Sequence, residues 1–511
     1  MRGMMLLVLT LSLCQVVVIQ VAGNIVRTFT DETGTERFNH LVVDKNTGRV
    51  FIGAVNRLYQ LSPDLELVMS EKTGPQDDSP ECSTLDCPRT VLKKPTDNVN
   101  KALVIDYTTT RLISCGSVFQ GICSVRNLHN ISDVAQVVRE AVVANNSTAS
   151  TVAFIAPGPP NPPVTQVMYV GVTYTGNSPY RSEVPAVSSR SLDRDKMFMI
   201  AETAVTTGTR MFVNSLARER YPINYVYGFS SEGFSYFLTT QMRHTIPSPF
   251  ISKLVRVCHD DENYYSYTEI PIDCISEGAK RYNLVQAAYV GKPGSDLASD
   301  LGITAQDDVL FAVFSESDQS EGEVSSKPSS YSALCVYSLK AIRRKFLQNV
   351  KTCFSGIGSR GLDFISPSHA CVLTKLQTIG EDFCGLDVNT PLGGEQPIAA
   401  VPVLVFGSHL TAVAATSTGD YTVVFLGTAN GHLKKVVVES SNAALEYGDL
   451  AVDENSPVNP DLHFDSQLMH LYVMTEKKVS KVKVQECSVY KTCWDCLGAK
   501  DPYCGWCSLE N

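Results

Sequence analysis

The chain has no surplus of positive charge: 43 Lys and Arg stand against 53 Asp and Glu, a formal net charge of −10. Nucleic acid is therefore excluded as a partner, because binding it requires clustered cations that displace phosphate counterions. Past residue 23 no stretch offers about 18 consecutive apolar residues, so no membrane-spanning helix is expected there. Catalytic signatures are missing as well. Gly228-Phe-Ser-Ser-Glu fails the last position of a G-x-S-x-G elbow, and there is no H-E-x-x-H, Walker loop or G-x-G-x-x-G. The nine histidines are dispersed, none at metal spacing with another or with cysteine. The Asp-Asp pairs at 77–78, 260–261 and 307–308 read as loop ends, since adjacent carboxylates on a strand point apart. No enzyme activity, no cofactor and no metal are expected. Helical periodicity is scarce, its best window running from Leu334 to Asn349.

Cysteine is what the chain has in quantity, and it is unevenly spread. Cys487, Cys493, Cys496, Cys504 and Cys507 crowd residues 487–511, whereas the other eleven of the 16 are scattered over the rest. A large self-sufficient domain followed by a small stapled module is the expected organisation. The opening 23 residues carry Arg2, an apolar run from Met4 to Val18 and small residues at Val21-Ala22-Gly23, which reads as a secretory signal peptide. Export places the cysteines in an oxidising compartment. It also makes Asn130 and Asn146 candidates for N-linked sugar, with Asn145 in an overlapping sequon.

Strand patterns dominate the body. Hairpin cores recur at 49–61, 111–125, 166–176, 224–238, 308–315, 422–438 and 468–484. Most are roughly 50–60 residues apart, the length a four-stranded sheet with its loops consumes. The expected fold is all-β: a seven-bladed propeller. The long interval from 315 to 422 reads as an insertion grafted onto blade five, and RFNHLVV (37–43) as an outer strand that closes the last blade. A pair of β-sandwiches would need a mid-chain linker, and APGPPNPP (156–163) lies too early to be one. The basic stretches Arg343-Arg344-Lys345, Lys434-Lys435 and Lys477 to Lys483 read as solvent faces rather than a polysaccharide site.

Cys493-Trp-Asp-Cys496 and Cys504-Gly-Trp-Cys507 look like zinc or redox pairs. The interval between them is short for a zinc ribbon, and too little chain follows Cys507 to supply the helix a redox thiolate needs. Disulfides are the better reading. In the large domain Cys82 and Cys87 are near neighbours, and Cys115 and Cys123 flank a turn. The remaining six, Cys258, Cys274, Cys335, Cys353, Cys371 and Cys384, leave fifteen pairings open.

DPYCGWC (501–507), with the cysteines before it, resembles the opening of a PSI (plexin–semaphorin–integrin) module. Upstream, the chain looks like a plexin sema domain through FNHL (38–41), TGRVFIGAVNRLYQL (47–61), KTGPQDD (72–78), DNVNKALVIDY (97–107), CGSVFQGIC (115–123), DDVLFAVFS (307–315), FCGLDVNTPLGG (383–394) and LGTANGHLKK (426–435). KTGPQDD and FCGLDVNTPLGG make it most similar to A-type plexins. Semaphorins share the propeller but typically carry alanine and aspartate where this chain has Gly505 and Cys507.

The resemblance implies the pairs Cys82–Cys87, Cys115–Cys123, Cys258–Cys384, Cys274–Cys335, Cys353–Cys371 and Cys487–Cys504, with Cys493, Cys496 and Cys507 pairing beyond residue 511. It implies a signal peptide at 1–23, a sema domain at 24–485 and an incomplete PSI module at 486–511. The function it implies is the extracellular ligand-binding region of a semaphorin receptor in cell and axon guidance, held at the cell surface by an anchor outside the chain. Its partners would be a semaphorin, and a co-receptor or a second receptor. The alternative is a secreted sema-domain protein acting as decoy or ligand. Ligand contacts are expected on blades three and four. There Tyr180, Arg181, Arg190 and Arg194 supply the aromatic and guanidinium groups common at interfaces.

Overall fold

The computed structural model describes residues 24–508 apart from 32–36, 160–164, 202–207, 246–247, 319, 321–324 and 376–377. The expected signal peptide lies outside them, as does part of the 156–163 loop. Among the described residues the body is a propeller of antiparallel sheets. The first holds Phe38–Val43, Val50–Ala54, Arg57–Leu61 and Leu67–Lys72; the second Asn100–Asp106, Arg111–Gly116, Cys123–Asn127 and Asn130–Val138. Thr151–Gly158, Thr165–Val172, Val187–Ser191 and Arg210–Met211 form the third. The fifth pairs Leu284–Gly291, Val309–Ser317, Pro328–Ser338 and Leu404–Phe406, and the sixth runs through Leu410–Thr418, Tyr421–Thr428, His432–Ser440 and Ala443–Ala451. His463–Phe464, His470–Met474 and Lys478–Lys483 complete the run, joined by Ile25–Thr30 from the chain's start.

The expectation of a seven-bladed propeller is corrected. Among the described residues six blades are four-stranded sheets, and the fourth position holds a larger, seven-stranded sheet that is not a regular blade. That sheet begins as Ile223–Ser231, Phe234–Met242, Phe250–Cys258 and Thr268–Ile275, and Arg281–Tyr282 extends it. Two strands of the insertion, Leu392–Gly393 and Ile398–Ala400, then pair in parallel with Thr268–Ile275. The insertion therefore leaves the fifth sheet after its third strand and builds on the fourth. A second correction concerns closure. The strand that seals the last sheet is Ile25–Thr30, paired from Ile25↔Val482 to Thr30↔Lys478. Phe38–Val43 is instead the inner strand of the first sheet, where Phe38 and Leu41 are buried.

Packing follows the strand pattern. Middle strands such as Phe234–Met242 and Phe250–Cys258 are buried on both faces because a sheet lies on either side. Most apolar clusters join neighbouring sheets, as where Val413, Val424 and Val436 of the sixth meet Phe311 and Leu334 of the fifth; one lies within the insertion, around Val350, Phe354 and Leu392. Two glycines repeat one local device. Gly121 and Gly431, both at φ +85°, turn the chain inside the second and sixth sheets, and their carbonyls accept the N–H groups of Val142 and Val143 and of Val452 and Asp453. A Cβ would stand 2.1 Å from the Val143 carbonyl oxygen in one and 1.8 Å from that of Asp453 in the other, so only glycine fits.

The insertion carries the helix Leu339–Phe354, capped by Ser338, whose Oγ accepts from the Ala341 N–H. Its Leu339, Ile342 and Phe346 bury against the fourth and fifth sheets. The tail after Val484 folds over the sixth sheet: Lys435 donates to the Val484 carbonyl at 2.9 Å, and Tyr503 packs on the apolar face between the last two sheets.

Candidate functional site

Six disulfides set the framework on which the outer surface is held. Cys115 and Cys123 are cross-strand partners in the second sheet, with Cα atoms 4.0 Å apart. Cys274–Cys335 ties the fourth sheet to the fifth, and Cys258–Cys384 ties the fourth to the insertion across 126 residues. Cys353–Cys371 closes the insertion's own loop, Cys82–Cys87 a hairpin excursion and Cys487–Cys504 the tail. Cys493, Cys496 and Cys507 are free, with Cys496 buried and the other two exposed. Among the described residues no group of three or more His, Cys, Asp or Glu is placed to hold a metal.

The four expected contact residues separate into two kinds. Arg181 and Arg190 are each 1% exposed and are not surface anchors. Arg181 donates to the carbonyls of Gln120 at 2.8 Å and Val143 at 3.0 Å, so it braces the second sheet against the third. Arg190 donates to Ser188 Oγ at 2.9 Å and to the carbonyls of Phe198 at 3.1 Å and Ala141 at 3.2 Å. Burial lowers both guanidinium groups to a pKa of about 10, with Glu140 opposing that shift at Arg190 and Arg190 itself adding to it at Arg181. Both remain charged at neutral pH and use that charge on backbone oxygens.

Tyr180 and Arg194 do reach the surface, half-buried and exposed respectively. The strand Val187–Ser191 runs between their segments, so about 13 Å of extended chain separates the two turns. Each turn has an apolar companion that the sequence did not single out. Met199, 54% exposed, follows Arg194, and Leu216, 87% exposed, lies in the turn whose Arg218 reaches the Ser182 carbonyl near Tyr180. A lone Met or Leu in a polar loop leaves no periodic signal, which is why both were missed.

A concavity of about 750 Å³ lies between the fourth and fifth sheets and is lined by Arg243, Phe250, Lys280, Arg281, Glu316 and Asp273. Four of its charges are matched in pairs: Lys280 lies 3.0 Å from Glu316, and Arg281 lies 3.5 Å from Asp273. The basic stretches are engaged too. Arg343 is buried beside Glu232, Lys434 meets Glu446 and Asp449 at 2.8 Å, and Lys481 meets Asp64 at 2.8 Å. The Asp-Asp pairs serve loops, with Asp78 accepting from Phe119 N–H, Asp261 from Ser266 N–H and Asp307 from Thr304 N–H.

The sequons differ in setting. Asn130 is exposed, and its Oδ1 accepts from the Ser132 N–H and hydroxyl. Asn146 is half-buried and accepts from Thr148 and Ala149 N–H, while Asn145 is committed to Gln120 and Thr175.

Comparison with known proteins gives a Sema domain match over residues 285–465 and a Plexin repeat match over 486–511. Neither is an enzyme family. The chain is similar to plexin A3 of Danio rerio, 35% identical over 92% of this chain and 26% of the relative, and to plexin-A4 of Mus musculus, 36% identical over 93% and 26%. It spans about a quarter of the length of these relatives. A solved plexin A4 extracellular region superposes with a TM-score of 0.86 at 34% identity, covering 95% of this chain and 49% of that one. A structure described as Drosophila plexin A in complex with semaphorin 1b shares the fold, at a TM-score of 0.61 and 15% identity over 94% of this chain and 91% of that one.

Proposed function

We propose that this chain, which carries the Sema domain and plexin repeat of the A-type plexins, is the semaphorin-binding extracellular head of a cell-surface receptor. The division assigned is a ring at 24–485 and a short module from 486, entering the secretory route through residues 1–23. The observation that carries this reading is the plexin A likeness over nearly the whole chain in both sequence and fold. The semaphorin named beside the Drosophila plexin supports the choice of ligand class.

Physically, the ring suits a binding role. Loops fixed on stapled sheets lose little freedom on docking, and a dimeric ligand joining two receptors multiplies a modest single contact. The contact face assigned is the outer edge of the third sheet, with Arg194 and Met199 at one end of the strand Val187–Ser191 and Tyr180 and Leu216 at the other. Arg181 and Arg190 hold this face from beneath.

Surface plasmon resonance of the secreted chain against a panel of dimeric semaphorin ectodomains tests the reading. Binding to at least one is expected, with Arg194→Glu weakening it about tenfold or more, the loss of one good charged contact. Arg190→Glu is expected to fail in folding and not in contact, read as loss of secreted protein. No binding to any member of the panel would overturn the assignment.

A further inference from the structure

The outer strand of each blade presents an unpaired row of N–H and C=O groups, and most of these edges are visibly protected. Arg210–Met211 and Leu404–Phe406 are only two and three residues long. The fourth sheet's Thr268–Ile275 is covered by the insertion's two strands. Ala443–Ala451 carries Glu446 and Asp449, both drawn to Lys434. Asn130–Val138 has none of these devices. It is nine residues long, has one ionisable side chain, Asp133, and leaves Val134 38% and Val137 55% exposed.

Its neighbour adds to the apolar surface. Gln60 of the first sheet bonds both the His129 carbonyl and the Ile131 N–H, and Gln60 is paired with Met69. Met69 packs on the cluster that holds Leu128 and Ile131, so the first sheet's outer strand Leu67–Lys72, whose Leu67 and Val68 are 54% and 51% exposed, runs alongside the head of this edge. At the head of this uncovered edge sits the sequon Asn130-Ile131-Ser132, with Asn130 and Ser132 exposed and Ile131 buried.

We propose that Asn130 carries an N-linked glycan that shields the apolar edge of the first two blades and stops it pairing with the same edge of a second copy. A branched sugar rooted at the first residue of this strand sweeps over the space a partner strand needs. Without it, two Asn130–Val138 strands can meet antiparallel about a two-fold axis, each burying the other's Val134 and Val137. The sugar takes the place of the charges and short lengths used on the other blades. This inference rests on passage through the secretory route, but neither of its readouts uses a semaphorin, so it fails separately from the ligand reading.

The chain is secreted from cultured animal cells, its thiols are capped, and the peptide containing Asn130 is weighed before and after enzymatic sugar removal. Occupancy at Asn130 is expected; an unmodified Asn130 overturns the proposal. Sedimentation then compares wild type with Ser132→Ala, which abolishes the sequon and keeps Asn130. Wild type is expected to remain monomeric, while Ser132→Ala dimerises at a concentration lower by about tenfold or more. Val134→Lys with Val137→Lys in that background restores the monomer. If Ser132→Ala is not secreted, folded wild type trimmed by endoglycosidase takes its place. A sugar-free chain that stays monomeric, or one whose dimer survives the lysines, overturns the proposal.

Discussion

His259 lies at the end of a fourth-sheet strand, 7% exposed, with Nε2 3.2 Å from the Ser235 hydroxyl. Burial lowers its pKa below the ordinary histidine value, and burial does the same at His409, which faces Gln286. Folding thus reduces the proton affinity of both rings. The unfolded chain binds more protons once pH falls below about 6.5, so the stability these residues contribute is full above that pH and declines beneath it. Denaturant midpoints are expected to drop between pH 7 and 5, and to drop less in His259→Gln. An equal slope in the variant would assign the acid sensitivity elsewhere. The same scale shows where sequence reading reached its limit. Val187–Ser191 reads VSSRS, a polar string with the appearance of a surface strand, yet four of its five residues are buried. Arg190 donates to the Ala141 carbonyl and the Glu140 carboxylate, a demand set by residues some 50 positions away.

At the scale of elements, hairpins were legible because a turn between two apolar runs is a local signal. The insertion's destination was not. Leu392–Gly393 and Ile398–Ala400 are two and three residues long, too short for any alternation to declare a partner. Their place on the fourth sheet is secured by Cys258–Cys384 and by the stacking of Phe364 on Tyr221, ring centroids 4.2 Å apart. The disulfide partners also lay beyond spacing; the family likeness supplied them. Replacing Cys258 and Cys384 together with serine should cost about 2–5 kcal/mol, the usual worth of a native cross-link. Hydrogen exchange is the informative measurement. Faster exchange is expected in residues 339–403 and little change in the sixth sheet, whereas uniform loosening would mean the bridge serves the whole ring.

For the molecule as a whole, the closing sheet is the weak point, because three of its strands come from one end of the chain and one from the other. Phe29, 8% exposed, anchors the single strand Ile25–Thr30, with its ring centroid 5.4 Å from that of Tyr59 and 6.0 Å from that of Phe38. Phe29→Ala is expected to lose about 3 kcal/mol, read by chemical denaturation. Its effect should spread beyond the seam, because an open ring exposes two edges at once. The all-β class and the radiating sheets were readable from repeated hairpins. The seam strand was not, since IVRTFT alternates weakly and is mostly exposed.

That seam also imposes an order of events at birth. Ile25 must find Val482, so the strand Ile25–Thr30 waits until Lys478–Lys483 has been made. At about 5–20 residues per second, synthesis leaves the first strand idle for roughly 20–90 s. Throughout that interval the ring is an incomplete circle, and Ile25–Thr30 is without the partner strand that closes it.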